Sequence, residues 1–117
     1  MKRLYFKPNT DVIKEGDLGD CAYIVEAGSL EVSKINNQNN KQVLGQLKEN
    51  DIFGELGLID GLPRSATVTA LENCTIKVLT KDSFHSLAKN RPEALMPIFK
   101  VLASRLRSTL KQLIGVP

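Results

Sequence analysis

The apolar residues of this chain change their spacing once, near Thr80, and that change limits the folds open to it. Before it, Leu30 and Val32 alternate with Glu31 and Ser33, Ala66, Val68 and Ala70 with Thr67 and Thr69, and Ile76 and Val78 with Thr75 and Lys77. Period two places one set of side chains on one face of a strand, so residues from about 4 to 80 read as short half-buried strands. Glycine, asparagine and aspartate separate the runs, and many short strands in series suggest a sandwich, roll or barrel. Asn36 to Asn40, NNQNN, reads as an exposed hairpin tip. After Thr80 the spacing becomes helical. Asp82 is expected to cap a short helix over Ser83 to Lys89. Leu95, Ile98, Phe99, Leu102, Leu106, Leu110 and Leu113 then recur every three or four residues, as on a long amphipathic helix. Pro97 removes a backbone donor, so that helix either begins near residue 96 or is kinked there, and Gly115 and Pro117 are expected to stop it. The fold class expected is mainly β with C-terminal helices: one domain over 1–117, its roll at about 4–80 and its helices at about 82–114.

With 117 residues, 42% of them hydrophobic, the chain can bury one core and is too short for two ordinary domains. The net charge of +3 comes with no run of like charges, which gives no sign of nucleic-acid binding. Charge is uneven, however: residues 1–76 carry a net −3 and residues 77–117 a net +6. A solvated helix face accounts for this, and an acidic partner is the alternative. No window approaches the roughly 18 uncharged apolar residues of a membrane span, and the first dozen residues do not form a signal peptide. A cytoplasmic protein is expected. Cys21 and Cys74 lie 53 positions apart without a CxxC pair, and both are expected to be buried thiols rather than a disulfide or metal site. The leucine stripe of the last helix has three ways to be covered: by the roll, by a second copy in a homodimer, or by another protein. Packing within the chain is sufficient for most of these leucines.

The segment from Phe53 to Val68, FGELGLIDGLPRSATV, concentrates the residues that can do chemistry. Gly54 and Gly57 let the backbone approach a ligand, and a short helix starting near Glu55 would aim free amides at one spot. Arg64 follows a Gly-Leu-Pro turn and can send a planar fork of donors to the same place, binding phosphate oxygens in pairs. Glu55 would repel a bare phosphate, so the ligand should also donate a hydrogen bond. A ribose hydroxyl on a singly charged phosphate fits better than a triphosphate bringing its own magnesium. A surface ion pair among ordinary turn glycines does not explain why these types cluster.

This stretch resembles the phosphate-binding cassette of the cyclic nucleotide-binding domain family, a resemblance that implies an antiparallel β-roll, jelly-roll-like, followed by a short helix and a long amphipathic helix. Its members include catabolite-activator-type regulators, regulatory subunits of cyclic-nucleotide-dependent kinases, and gated channels. IKEGDLGDCAYIVEAGSLEV, residues 13–32, is similar to the family's early strands at Gly16, Asp17, Gly19, Asp20, Tyr23, Gly28 and Val32. The resemblance implies that Glu55 accepts the ribose 2′-hydroxyl, that Arg64 pairs with the phosphate oxygens, and that Gly54, Leu56, Gly57 and Ser65 line the cassette. Tyr23 and the glycines before it would be architectural. It places Arg105, Ser108 and Thr109 near the base, Thr109 being preferred. Ser65 favours cyclic AMP over cyclic GMP. The family usually has a helical segment before its first strand, whereas this chain starts almost on that strand. No helix-turn-helix follows residue 117, so direct reading of DNA is not expected, and the effector is lost, cut away or carried by another chain.

The resemblance implies no cofactor, only the cyclic nucleotide as ligand. A metal enzyme on a similar roll would need several histidine and carboxylate ligands, and His85 is the one histidine, in a predicted helix. No GxSxG, GxxxxGK or HExxH motif supplies a hydrolase site, so no enzyme and no catalytic residue is expected. A module that keeps the fold, binds no nucleotide and meets a protein through its leucines is the remaining alternative.

Overall fold

The computed structural model describes residues 1–114. It divides into two compact units, Met1–Lys81 and Asp82–Pro117. The first holds eight strands in two four-stranded antiparallel sheets. One sheet runs β1 (Arg3–Phe6), β8 (Cys74–Leu79), β3 (Ala22–Ala27), β6 (Ile52–Phe53). The other runs β2 (Asp11–Ile13), β7 (Thr67–Ala70), β4 (Leu30–Ile35), β5 (Lys41–Leu47). Apart from the β4–β5 hairpin, neighbours within a sheet are distant in sequence: β1 pairs with β8 and β2 with β7. The two sheets thus form a roll that brings the two ends of the first unit together, the one of the strand-rich folds that the family resemblance implies.

The core lies between the sheets, where Val25, Leu30, Leu47, Phe53, Val68, Ala70, Cys74 and Ile76 form one cluster. Full burial of a side chain such as Ile76 stabilises by about 1.5–3 kcal/mol. Gly28 carries the chain from β3 to β4 at φ +94°, and a Cβ there would lie 2.6 Å from the Asn73 carbonyl oxygen and 2.7 Å from Cys74 Sγ. The NNQNN segment is the β4–β5 hairpin tip: Asn36 Oδ1 accepts from the Gln38 and Asn40 amides, and Asn39 takes φ +62°.

Two expectations for this unit need correcting. Ser33, read as facing outward, is buried. Beside it the β4–β5 register passes from Val32↔Gly45 to Ser33↔Val43, leaving Leu44 of β5 as an extra residue in a bulge, while the β4–β7 register stays regular. Cys21, read as buried, is half-buried, whereas Cys74 is buried; both are free thiols. Burial pushes the Cys74 thiol above its ordinary pKa.

The second unit is helical. α2 spans Lys81–Asn90, so Asp82 sits inside its first turn instead of before it, where its charge meets the positive end of the helix dipole. A 3-10 turn over Pro92–Leu95 follows, then α3 at Met96–Ile114. Pro97 falls in the first turn of α3, where a missing N–H costs nothing; the helix begins there. Gly115 and Pro117 lie outside the described residues. Leu95 and Ile98 are buried, but Phe99, Leu106, Leu110 and Leu113 are exposed, Leu113 at 74%. Packing within the second unit therefore does not cover most of the stripe. Nineteen residues at 1.5 Å each make a helix about 28 Å long, more than two short helical neighbours can sheathe. Lys100, Arg105, Arg107 and Lys111 are exposed on the same helix, which carries no acidic residue. No helix among the described residues is long and apolar enough to cross a membrane.

Candidate nucleotide-binding site

The Phe53 to Val68 segment leaves the first sheet at β6 and enters the second at β7, so it bridges the two. Gly54 makes the exit possible: at φ +76° it turns the chain directly into α1, Glu55–Asp60, and it caps that helix with no side-chain hydrogen bond. Gly61, at φ +69°, ends α1 by donating its N–H to the Gly57 carbonyl at 3.0 Å. Asp60 Oδ1 then accepts the Leu62 amide at 2.9 Å. This fixes the turn that delivers Pro63 and Arg64. The Arg64 backbone is held on both sides, its N–H donating to the Asp17 carbonyl and its carbonyl accepting from Gly16 N–H, each at 2.8 Å.

Held in this way, the Arg64 side chain points inward and is 6% exposed. Nη1 donates to the Gly54 carbonyl at 2.9 Å and Nη2 to the Cys21 carbonyl at 3.0 Å, with Cys21 Sγ 3.9 Å from Nη2. The Tyr23 ring lies under the guanidinium with 5.7 Å from Cζ to its centroid, and Phe53 stacks on Tyr23 at 5.1 Å. Burial, with a smaller contribution from Cys21, pushes the Tyr23 phenol up to about 12, so this ring stays neutral beside the cation. Gly19, Gly54 and Gly57 crowd the guanidinium; a Cβ on any of them would fall within 3 Å of it. Arginine has five N–H donors and two are committed to these carbonyls, leaving capacity for a ligand.

Glu55, the residue after Gly54, is 1% exposed. Its Oε2 is enclosed and accepts no hydrogen bond, although the residue is held by other polar interactions. A carboxylate and a guanidinium, both buried within one short segment, are an expensive arrangement for a surface turn. Gly57 is buried in α1 against Arg64, while the Leu56 side chain and Ser65 are exposed. The Ser65 carbonyl accepts Lys34 Nζ at 3.0 Å. Arg64, Gly54 and Gly57 thus come together, with Glu55 beside them in the chain. Thr109 lies in the second unit on the exposed surface of α3, where its hydroxyl donates to the Arg105 carbonyl at 3.0 Å.

A cleft of about 270 Å³ is lined by Arg64 together with Gly19, Cys21 and Tyr23, the residues packed about its guanidinium, and none of the other expected site residues borders it. Its walls also carry Asp11, Lys14, Asp17 and Asp20. Among the described residues no group of histidine, cysteine and carboxylate could hold a metal ion.

Sequence reasoning passed over three contributors: Cys21, Tyr23 and Gly19. Cys21 acts through a main-chain carbonyl, which every residue type supplies, so its identity carries no signal. Tyr23 and Gly19 were read as parts of the turn and strand framework, and both touch the arginine.

Comparison with known proteins agrees with the geometry. Residues 3–91 match the family model for the cyclic nucleotide-binding domain. The chain is 44% identical over 81 residues to a cAMP-dependent protein kinase regulatory subunit of Yarrowia lipolytica, covering 69% of this chain and 21% of that protein. It is 31% identical over 98 residues to a CRP-like cAMP-activated global transcriptional regulator of Mycobacterium tuberculosis, covering 84% and 44%. Its fold superposes on the catabolite activator protein of Thermus thermophilus with a TM-score of 0.90 at 26% identity, covering 96% and 53%. The chain spans less than half the length of these two curated relatives. With its roll, its cassette segment and these likenesses in agreement, the chain belongs to the cyclic nucleotide-binding domain family.

Proposed function

We propose that residues 1–117 act as one sensory domain that binds a cyclic nucleotide, cyclic AMP ahead of cyclic GMP, and passes the bound state to an effector through the C-terminal helices. One observation carries this reading: a buried guanidinium, fixed on two main-chain carbonyls and walled by glycines, next in space to a segment whose carboxylate is also buried. A fixed cation of this kind pays little to reorganise when a monoanion arrives, and it presents planar, paired donors. Arg64 takes the phosphate oxygens and Glu55 the ribose 2′-hydroxyl. Gly54, Leu56 and Gly57 line the cassette through the backbone, Ser65 adds a hydroxyl, and Thr109 reaches the base from α3. Both curated relatives named above carry cyclic AMP in their names, and Ser65 points the same way.

Binding favours a state in which α3 closes over the base. The shift is limited by the difference in affinity between open and closed states, so the output is a population change and no chemistry is done on the ligand. The domain works in the cytoplasm. Its partners are the nucleotide, an effector domain or protein, and a second copy paired through α3. This segment itself contacts neither DNA nor membrane.

Calorimetric titration tests the reading. Cyclic AMP should bind, 2′-deoxy cyclic AMP should bind far more weakly because the buried Glu55 carboxylate loses its donor, and Arg64→Ala should cost about 100-fold in affinity. Absence of heat and of thermal shift with both cyclic nucleotides at millimolar concentration would overturn it in favour of a protein-interaction module.

A further inference from the structure

Position 19 is glycine for the sake of Arg64 and not for the sake of the backbone. Gly16, Gly28, Gly54 and Gly61 all adopt positive φ, where a side chain is strained; Gly19 does not. An alanine could take its backbone conformation. What excludes a side chain is the guanidinium. A Cβ at position 19 would overlap Nη2 and lie 2.6 Å from Nε and 2.7 Å from Cζ, and these three Arg64 atoms are its nearest neighbours. Gly57 differs, because a Cβ there would also meet the Gly19 carbonyl oxygen at 2.7 Å, and Gly54 differs through its φ of +76°.

Flexible arginines usually slide away from such a contact. Here the guanidinium is 6% exposed, tied by Nη1 to the Gly54 carbonyl and by Nη2 to the Cys21 carbonyl, and flanked by the Tyr23 ring. Making room for a methyl group requires a shift of about 1 Å, enough to break hydrogen bonds of 2.9 and 3.0 Å and to misplace the remaining donors. The geometry points to Gly19 as a positioning residue that sets where Arg64 presents its donors to the ligand phosphate. This rests on the reading of Arg64 as the phosphate ligand.

A double-substitution cycle on the whole chain, read by cyclic AMP titration, tests it. Gly19→Ala should weaken binding by about 10-fold or more, and Gly19→Ala added to Arg64→Ala should change affinity by less than about twofold. In the unliganded protein, the Arg64 Nε–H resonance should move in Gly19→Ala, a signature that a turn glycine remote from Arg64 would not produce. If Gly19→Ala alone unfolds while the double variant folds, the same contact is supported; unfolding of both overturns the inference. Wild-type affinity in Gly19→Ala while Arg64→Ala loses binding overturns the inference alone, as does a Gly19→Ala loss that persists in full without Arg64. Wild-type affinity in Arg64→Ala overturns the phosphate reading and the inference with it.

Discussion

Arg64 carries its charge inside the protein because main-chain oxygens replace part of its water: the carbonyls of Gly54 and Cys21 stand on it from two different parts of the chain. Its charge alone does not do this. Arg64→Lys keeps the cation but offers a compact ammonium that cannot hold two carbonyls and a phosphate in one plane. We expect it to lose about 10- to 100-fold in cyclic AMP affinity by titration, with a smaller loss for ligand-free stability. Affinity within threefold of the unsubstituted protein would show that only charge matters. At this scale the sequence discloses residue types better than their surroundings. Arginine and glutamate nine positions apart among glycines are unusual enough to be read directly. The Cys21 carbonyl is invisible because it depends on register, and the Gly19 contact because it depends on a side chain 45 positions away.

Among the elements, the hairpins and α3 show how local chemistry and tertiary packing divide the work. The NNQNN tip is legible because asparagine can accept amides with its own side chain and tolerate φ +62°. Period two is legible in β7, where Val68 and Ala70 are buried between half-buried threonines. It fails in β4, where Leu30 and Ser33 are both buried, and the bulge in the facing β5 is equally absent from the sequence pattern of β4. The β3–β4 connection is set by Gly28, whose positive φ and close neighbours act together. Gly28→Ala should lower stability by about 1–3 kcal/mol in urea unfolding. A loss below about 0.5 kcal/mol would mean that Asn73 and Cys74 yield to the added methyl group. Pro97 left two outcomes open in the sequence, a start or a kink, because proline satisfies both; the preceding 3-10 turn decides for a start.

For the molecule as a whole, the roll and the helices separate into two units, and the second unit shows the largest departure from expectation, an uncovered leucine stripe. Phe99, Leu106 and Leu113 recur every seven residues and are exposed, the spacing by which two helices pair along a seam. Leu106→Asp should convert a self-associated chain to monomer in sedimentation equilibrium, because each seam would then bury a charge; a monomeric unsubstituted chain would remove the pairing through α3. The bulge at Leu44 bears on a different kind of assembly. β5 is the open border of its sheet, seven residues long and exposed at every position but Leu47. A straight border of that length is a template on which identical molecules can stack into fibrils. The extra residue breaks the even ladder of this border, the kind of interruption that discourages edge-to-edge stacking of identical molecules.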